Sequence, residues 1–205
     1  MRENMKIYLV RHGETYWNAL RKMQGQVNIP LNDRGKEQAK QAAKHLKDVE
    51  IDICYTSPLV RARQTAEIIL EGRDVPIIDV PLLIEQSYGI SEGESQEIGF
   101  SNPKSLLYNF MHHPDQYIPD IGGESFEDLT KRAARFIEEW LLPAGENYKS
   151  ILVSAHGAIL CGMLNKILGI PIAEFWKWEF DNCMVRELTL EGGIILPTVK
   201  TIGEW

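Results

Sequence analysis

Apolar residues along the chain fall into two alternating rhythms. Short, nearly unbroken apolar runs occur at 6–10, 51–55, 75–80 and 150–155, each rich in β-branched or aromatic residues. Runs of that length and composition predict buried strands. Between them the spacing changes to three and four. Ala39, Ala42, Ala43, Leu46 and Val49 mark one helix face, and Phe126, Leu129, Ala133, Phe136, Ile137, Trp140 and Leu141 mark a second; Ile159, Leu160, Met163, Leu164, Ile167 and Leu168 mark a third. Each is the stripe that a helix buries against a sheet. Strand and helix in alternation predict a three-layer α/β/α sandwich with a mostly parallel central sheet.

Local signals place the boundaries. Asn32 or Asp33 caps the first long helix, and Ser57 caps the next, with Pro58 at its first position. Ser125 opens the helix after 124, with Asp128 placed for a capping box, and Pro143 ends it. Gly169 and Pro171 stop the last long helix. Residues 183–190, the pair Gly192-Gly193 and residues 194–199 predict a hairpin that gives the sheet an antiparallel margin. Two stretches lack a clean period. Residues 16–30 read as a short helix followed by loop, and 86–124, with glycines, serines and prolines around a short helical run, reads as a lid inserted into a single domain spanning 1–205.

Polar residues cluster where the strands stop. The first run ends in Arg11-His12-Gly13, the second leads to Arg61 in the first turn of a helix, the third passes through Leu82-Leu83-Ile84 to Glu85, and the fourth stops at His156-Gly157. The carboxyl edge of a parallel sheet is where such folds bind ligands. Two arginines neutralise a dianionic phosphoryl group, and a helix beginning at Gly157 offers amides and a favourable dipole to the same anion. A histidine between them can attack phosphorus, and a carboxylic acid can protonate the leaving oxygen. Asn18 lies nearby in sequence. Glu92 and Glu94 are close enough to Glu85 to compete for the acid role.

Composition narrows the classes. A net charge of −7 without a basic cluster argues against a nucleic-acid surface. Cys54, Cys161 and Cys183 are odd in number and far apart, which predicts buried reduced thiols, neither disulfides nor a metal site. No apolar run has the length of a membrane span and none resembles a signal peptide, so a cytoplasmic protein without membrane partners is expected. His112-His113 read as solvated, since no third ligand neighbours them. His45 is expected exposed at a helix end, Arg63 on a helix surface, and Trp176 and Trp178 in packing or a subunit contact.

These residues also carry a resemblance. The blocks Arg11-His12-Gly13-Glu14-Thr15, Trp17-Asn18, Gln24-Gly25, Pro30-Leu31, Ser57-Pro58-Leu59-Val60-Arg61-Ala62-Arg63-Gln64-Thr65-Ala66 and Ser154-Ala155-His156-Gly157 occur in this order. Together they resemble the histidine phosphatase superfamily, the group that includes cofactor-dependent phosphoglycerate mutases. The resemblance implies that His12 becomes a phosphohistidine, held through its other ring nitrogen by nearby backbone. It implies a phosphate pocket of Arg11, Arg61 and His156, completed by Asn18 and Gln24 and by the Gly157 amide. It implies that Glu85, matching an acidic residue before an aromatic-glycine pair, donates the leaving-group proton and then activates water. The family often has a tryptophan after that glycine, where this chain has Ile90-Ser91-Glu92-Gly93, and an arginine a turn beyond His156-Gly157, where this chain has Ala158-Ile159-Leu160.

The expected activity is metal-independent and cofactor-free hydrolysis of a small phosphomonoester. The alternative is a phosphoglycerate mutase, which must hold a second anionic group. Between Gln86 and Glu124 the one basic residue of Lys or Arg type is Lys104, against Glu92, Glu94, Glu97, Asp115, Asp120 and Glu124, which suits a mutase poorly. A catalytically silent phosphate-ester binder is the third reading, disfavoured because all five catalytic positions are filled. A homodimer through an edge strand or the late tryptophans stays open.

Overall fold

The structure, a computed structural model, describes residues 4–203. Its sheet has the spatial order β3 (Ile77–Asp79), β2 (Ile53–Thr56), β4 (Ser150–Ala155), β1 (Met5–Arg11), β5 (Val185–Glu191) and β6 (Ile194–Ile195). The first four are parallel, and β5 runs antiparallel to β1. The short β7 (Lys200–Ile202) also pairs with β5, at the opposite end from β6. The sequence expectation of one return strand at 194–199 is therefore corrected to two short pieces either side of Pro197, whose ring cannot donate to a ladder.

Alternation along each strand sorts the core into two halves. Ile7 and Leu9 of β1, with Ile151 and Val153 of β4, face α6 (Phe126–Phe136) and α8 (Gly157–Leu168), whose Leu129, Phe136 and Leu164 are fully buried. Tyr8, Val10, Cys54 and Leu152 face α2 (Asp33–His45) and α3 (Val60–Ile69), against Ala39, Ala42, Leu46, Ala66 and Ile69. Strands apolar on both faces need such cover, which makes this the mixed three-layer fold that the pattern predicts.

Several helix boundaries differ from expectation for identifiable reasons. Asn32 caps α2, its side chain accepting from Gly35 N at 2.8 Å. Helix α3 starts at Val60, not at Pro58: Leu59 is its cap, and the Ser57 hydroxyl is used elsewhere, accepting from Leu59 N and bonding His156. Pro143 does not end the helix after Ser125. A wide π-helical turn at Ile137–Leu141 follows α6, and the helix runs on through the proline as the short α7 (Leu142–Ala144). The third strand is shorter than 75–80, and a 3₁₀ turn at Pro81–Leu83 separates it from Glu85.

Residues 86–124 fold over the sheet edge as α4 (Gln96–Ser101) and α5 (Leu106–His112) with 3₁₀ turns. Their anchor is Phe110, 3% exposed and ringed by Tyr88, Tyr117, Phe126 and Trp176. No helix of the described residues is long and apolar enough to cross a membrane.

Candidate active site

Strand register brings the polar residues together. Val10 and Thr56 both align with Ser154, and Arg11 aligns with Ala155. The residues that follow, His12, Ser57 and His156, therefore emerge side by side at the carboxyl edge. The ladder carries on past the strands through His12 N to Ala155 O at 3.0 Å and Ser57 N to Ser154 O at 3.0 Å. A glycine after His12 is required by packing: a Cβ on Gly13 would lie 2.4 Å from the Gly35 carbonyl oxygen at the start of α2.

His12 is 3% exposed, its ring 5.1 Å from that of His156. Its Nδ1 lies 2.7 Å from the Gly13 carbonyl oxygen. A carbonyl only accepts, so Nδ1 carries the proton in this bond and Nε2 keeps its lone pair. Burial, then the charges of Arg61 and Arg11, hold the His12 pKa well below its ordinary value, leaving the ring neutral at pH 7. Burial followed by Arg61 and His12 does the same to His156. His156 Nε2 is 2.7 Å from Ser57 Oγ. With that hydroxyl donating, His156 Nδ1 is the protonated nitrogen.

Arg61 is fully buried in the first turn of α3, and burial pulls its pKa down to about 10. Its two terminal nitrogens donate to the carbonyls of Val27 and Gly25 at 2.8 and 2.7 Å, and Arg11 Nη1 donates to Phe180 O at 2.6 Å. Arg11 Nε, Arg61 Nε and His156 Nδ1 are buried without a partner in the protein. Buried donors are rarely left so; the charges of Arg11 and Arg61 both act on His12, and the His156 ring lies beside it.

Glu85 sits across from them. Its carboxylate accepts from Gln86 N at 2.9 Å, Ile159 N at 3.2 Å and Ala158 N at 3.3 Å, so it caps α8. This corrects one expectation: two of the amides at that helix start serve Glu85, and Gly157 N is the one left for an anion. A Cβ on Gly157 would lie 3.8 Å from Arg11 Nε and 3.9 Å from Glu85 Oε2, between the cation and the acid.

Asn18, on α1 (Tyr16–Ala19), and Gln24, in the loop after it, both meet Thr15. Thr15 Oγ1 lies 2.8 Å from Gln24 Oε1 and 3.1 Å from Asn18 Oδ1, which turns both amide oxygens toward Thr15. Their NH₂ ends are the ones able to donate to an anion. Glu92 is engaged elsewhere, accepting from Gln26 N at 2.8 Å and Tyr88 N at 3.3 Å.

The profile of the histidine phosphatase superfamily, branch 1, matches residues 7–200. The chain belongs to that superfamily. Among relatives, the uncharacterized phosphatase PhoE of Bacillus subtilis (strain 168) is 38% identical over 165 residues, covering 80% of this chain and 77% of its own. The probable phosphoglycerate mutase GpmB of Cronobacter sakazakii is 36% identical over 186 residues, covering 90% and 84%. A phosphoserine phosphatase mutant of Entamoeba histolytica, crystallised with phosphoserine, superposes with a TM-score of 0.80 at 30% identity, over 94% of each chain.

In this member of the superfamily a cavity of about 470 Å³ opens in front of Arg11, Glu85 and Gly157. Met23, Tyr88, Phe100, Phe110, Trp176 and Trp178 supply its apolar wall, and Glu179 and Asp181 its acidic side. The two tryptophans thus line the site as well as pack, since Trp176 Nε1 also donates to Phe110 O at 2.7 Å. Arg63 is a surface residue paired with Glu67 and Asp79. His112 Nε2 lies 2.9 Å from Phe100 O, and His45 is exposed at the end of α2.

Arg132 was missed from the sequence. It forks onto Glu124 and donates to the backbone carrying Glu85. Its one signal is an arginine beside Ala133 on the edge of the buried stripe of α6.

Proposed function

We propose that this protein is a phosphomonoesterase that works through a phosphohistidine on His12 without a metal or organic cofactor. The observation that carries the reading is that three of the buried donors without a partner, Arg11 Nε, Arg61 Nε and His156 Nδ1, belong to residues whose charge or ring acts on a neutral histidine whose free nitrogen is Nε2. They suit the oxygens of a phosphoryl group, with Asn18, Gln24 and Gly157 N adding donors. The Nε2 lone pair attacks phosphorus, the ester P–O bond breaks, and Glu85 gives its proton to the leaving oxygen. Glu85 then takes a proton from water as its oxygen attacks phosphorus, the N–P bond breaks and inorganic phosphate leaves.

The cavity supports hydrolysis over isomerisation. Arg11 is the one cation among the described residues lining it, and Glu179 and Asp181 repel a second anionic group. Its aromatic wall suits a small ester with an apolar portion, covered by 86–124 as a lid of one 1–205 domain. Three separate buried thiols fit a reducing cytoplasm. A mutase remains the second reading because GpmB relatives align over most of the chain.

The test is a panel of phosphomonoesters that includes 3-phosphoglycerate with and without 2,3-bisphosphoglycerate, scored for free phosphate and for isomerised product, each with EDTA. Phosphate release unaffected by EDTA is expected. Isomerised product faster than free phosphate would establish the mutase, and loss restored by added metal would overturn the metal-independent route.

A further inference from the structure

Resting on that reading, we propose that Arg132 is the positioning residue that holds Glu85 in its proton-transferring pose. A guanidinium has five N–H donors, and all five are committed here. Nε and Nη2 form a fork on Glu124 at 2.9 and 2.6 Å. Nη1 donates to Leu82 O at 2.9 Å and Ile84 O at 2.5 Å, and Nη2 also reaches Glu85 O at 3.4 Å. With no donor left for substrate, Arg132 acts through Glu85.

The arrangement ties three elements at one point. Arg132 comes from α6, residues 82–85 lead into the 86–124 segment, and Glu124 closes it. Gln86 Nε2 donates to Glu124 O at 2.9 Å, and Glu124 N to Ser87 O at 2.8 Å, so both ends of the segment meet at this guanidinium. The Glu85 carbonyl is held again from the other side by Gln26 Nε2 at 3.0 Å. Backbone fixed on both sides leaves the Glu85 side chain to lie on the amides of α8. Arg132 and Glu124 are 15% and 18% exposed, so their pair is little screened by solvent. Lysine, with three donors and no planar fork, cannot reproduce these bonds.

The test compares Arg132→Lys, Glu85→Gln and the double variant on an alkyl phosphate, whose leaving oxygen needs a proton, and on 4-nitrophenyl phosphate, which needs little. Arg132→Lys is expected to lower kcat on the alkyl ester about tenfold or more and on the aryl ester by less than about threefold, with KM little changed. Added to Glu85→Gln, it should cause no further loss on the alkyl ester, because both changes remove one function. Equal losses on the two esters, or full additivity, would overturn the proposal. If Glu85→Gln itself fails to discriminate between the esters, the reading of Glu85 as the acid falls; if it discriminates and Arg132→Lys does not, this inference alone falls. Should Arg132→Lys not fold, Glu124→Gln is read by the same ratio, with the same direction expected and an unchanged ratio counting against it.

Discussion

A single bond decides what His12 can do. Because Gly13 O accepts from Nδ1–H, Nε2 is the nitrogen left with a free lone pair, and burial beside two arginines keeps it unprotonated. The residue after His156 is equally constrained. A methyl on Gly157 meets Arg11 Nε and Glu85 Oε2 at ordinary contact distance, so Gly157→Ala is expected to fold with a near-native thermal midpoint. The same methyl fills the space between cation and acid. We expect kcat/KM to fall about tenfold or more, roughly 1.4 kcal/mol of transition-state binding, on every phosphomonoester. An unchanged kcat/KM would show that the phosphoryl group does not use that space. His12 and His156 could be read from sequence because each stands at the end of an apolar run. Arg132 could not, since its partners, Glu124 and the carbonyls of 82–85, meet it only in the fold.

The elements were legible where local rules suffice. Strand β4 ends at Ala155 as its apolar run predicts, and Gly169 closes α8 with φ 65°, a left-handed turn that glycine adopts without strain. Boundaries failed where a tertiary contact outbid a local signal. The Ser57 hydroxyl bonds His156 in place of capping α3, and Pro143 is accommodated by the wide turn before it. The fold class followed from strand and helix alternation. The two-piece return strand did not, because Pro197 breaks a pairing that the apolar pattern alone would continue. The tryptophans escaped for a related reason: Trp176 and Trp178 read as packing residues in one dimension, and only the approach of α5 turns them into a wall of the cavity.

The molecule as a whole carries two buried neutral histidines, which links its stability to pH. In the unfolded chain His12 and His156 return to an ordinary pKa of 6.5, while in the folded chain burial holds both well below it. Below pH 6.5 the unfolded state therefore binds protons that the folded state excludes, and stability must fall as pH falls. Each histidine contributes a slope on the order of 1 kcal/mol per pH unit. Denaturant unfolding followed from pH 7 to pH 5 should show this decline, shallower in His12→Asn and in His156→Asn. A slope unchanged by both substitutions would mean that neither histidine is neutral in the fold.

The phosphorylated intermediate is the centre of the account. Rapid quenching at neutral to alkaline pH after mixing with a phosphomonoester, followed by mass-spectrometric mapping, should find a phosphoryl group on His12. It should be absent from His12→Ala, which should also lose turnover of an activated aryl phosphate. Substantial turnover by His12→Ala, or a phosphoryl group carried by another residue, would contradict it.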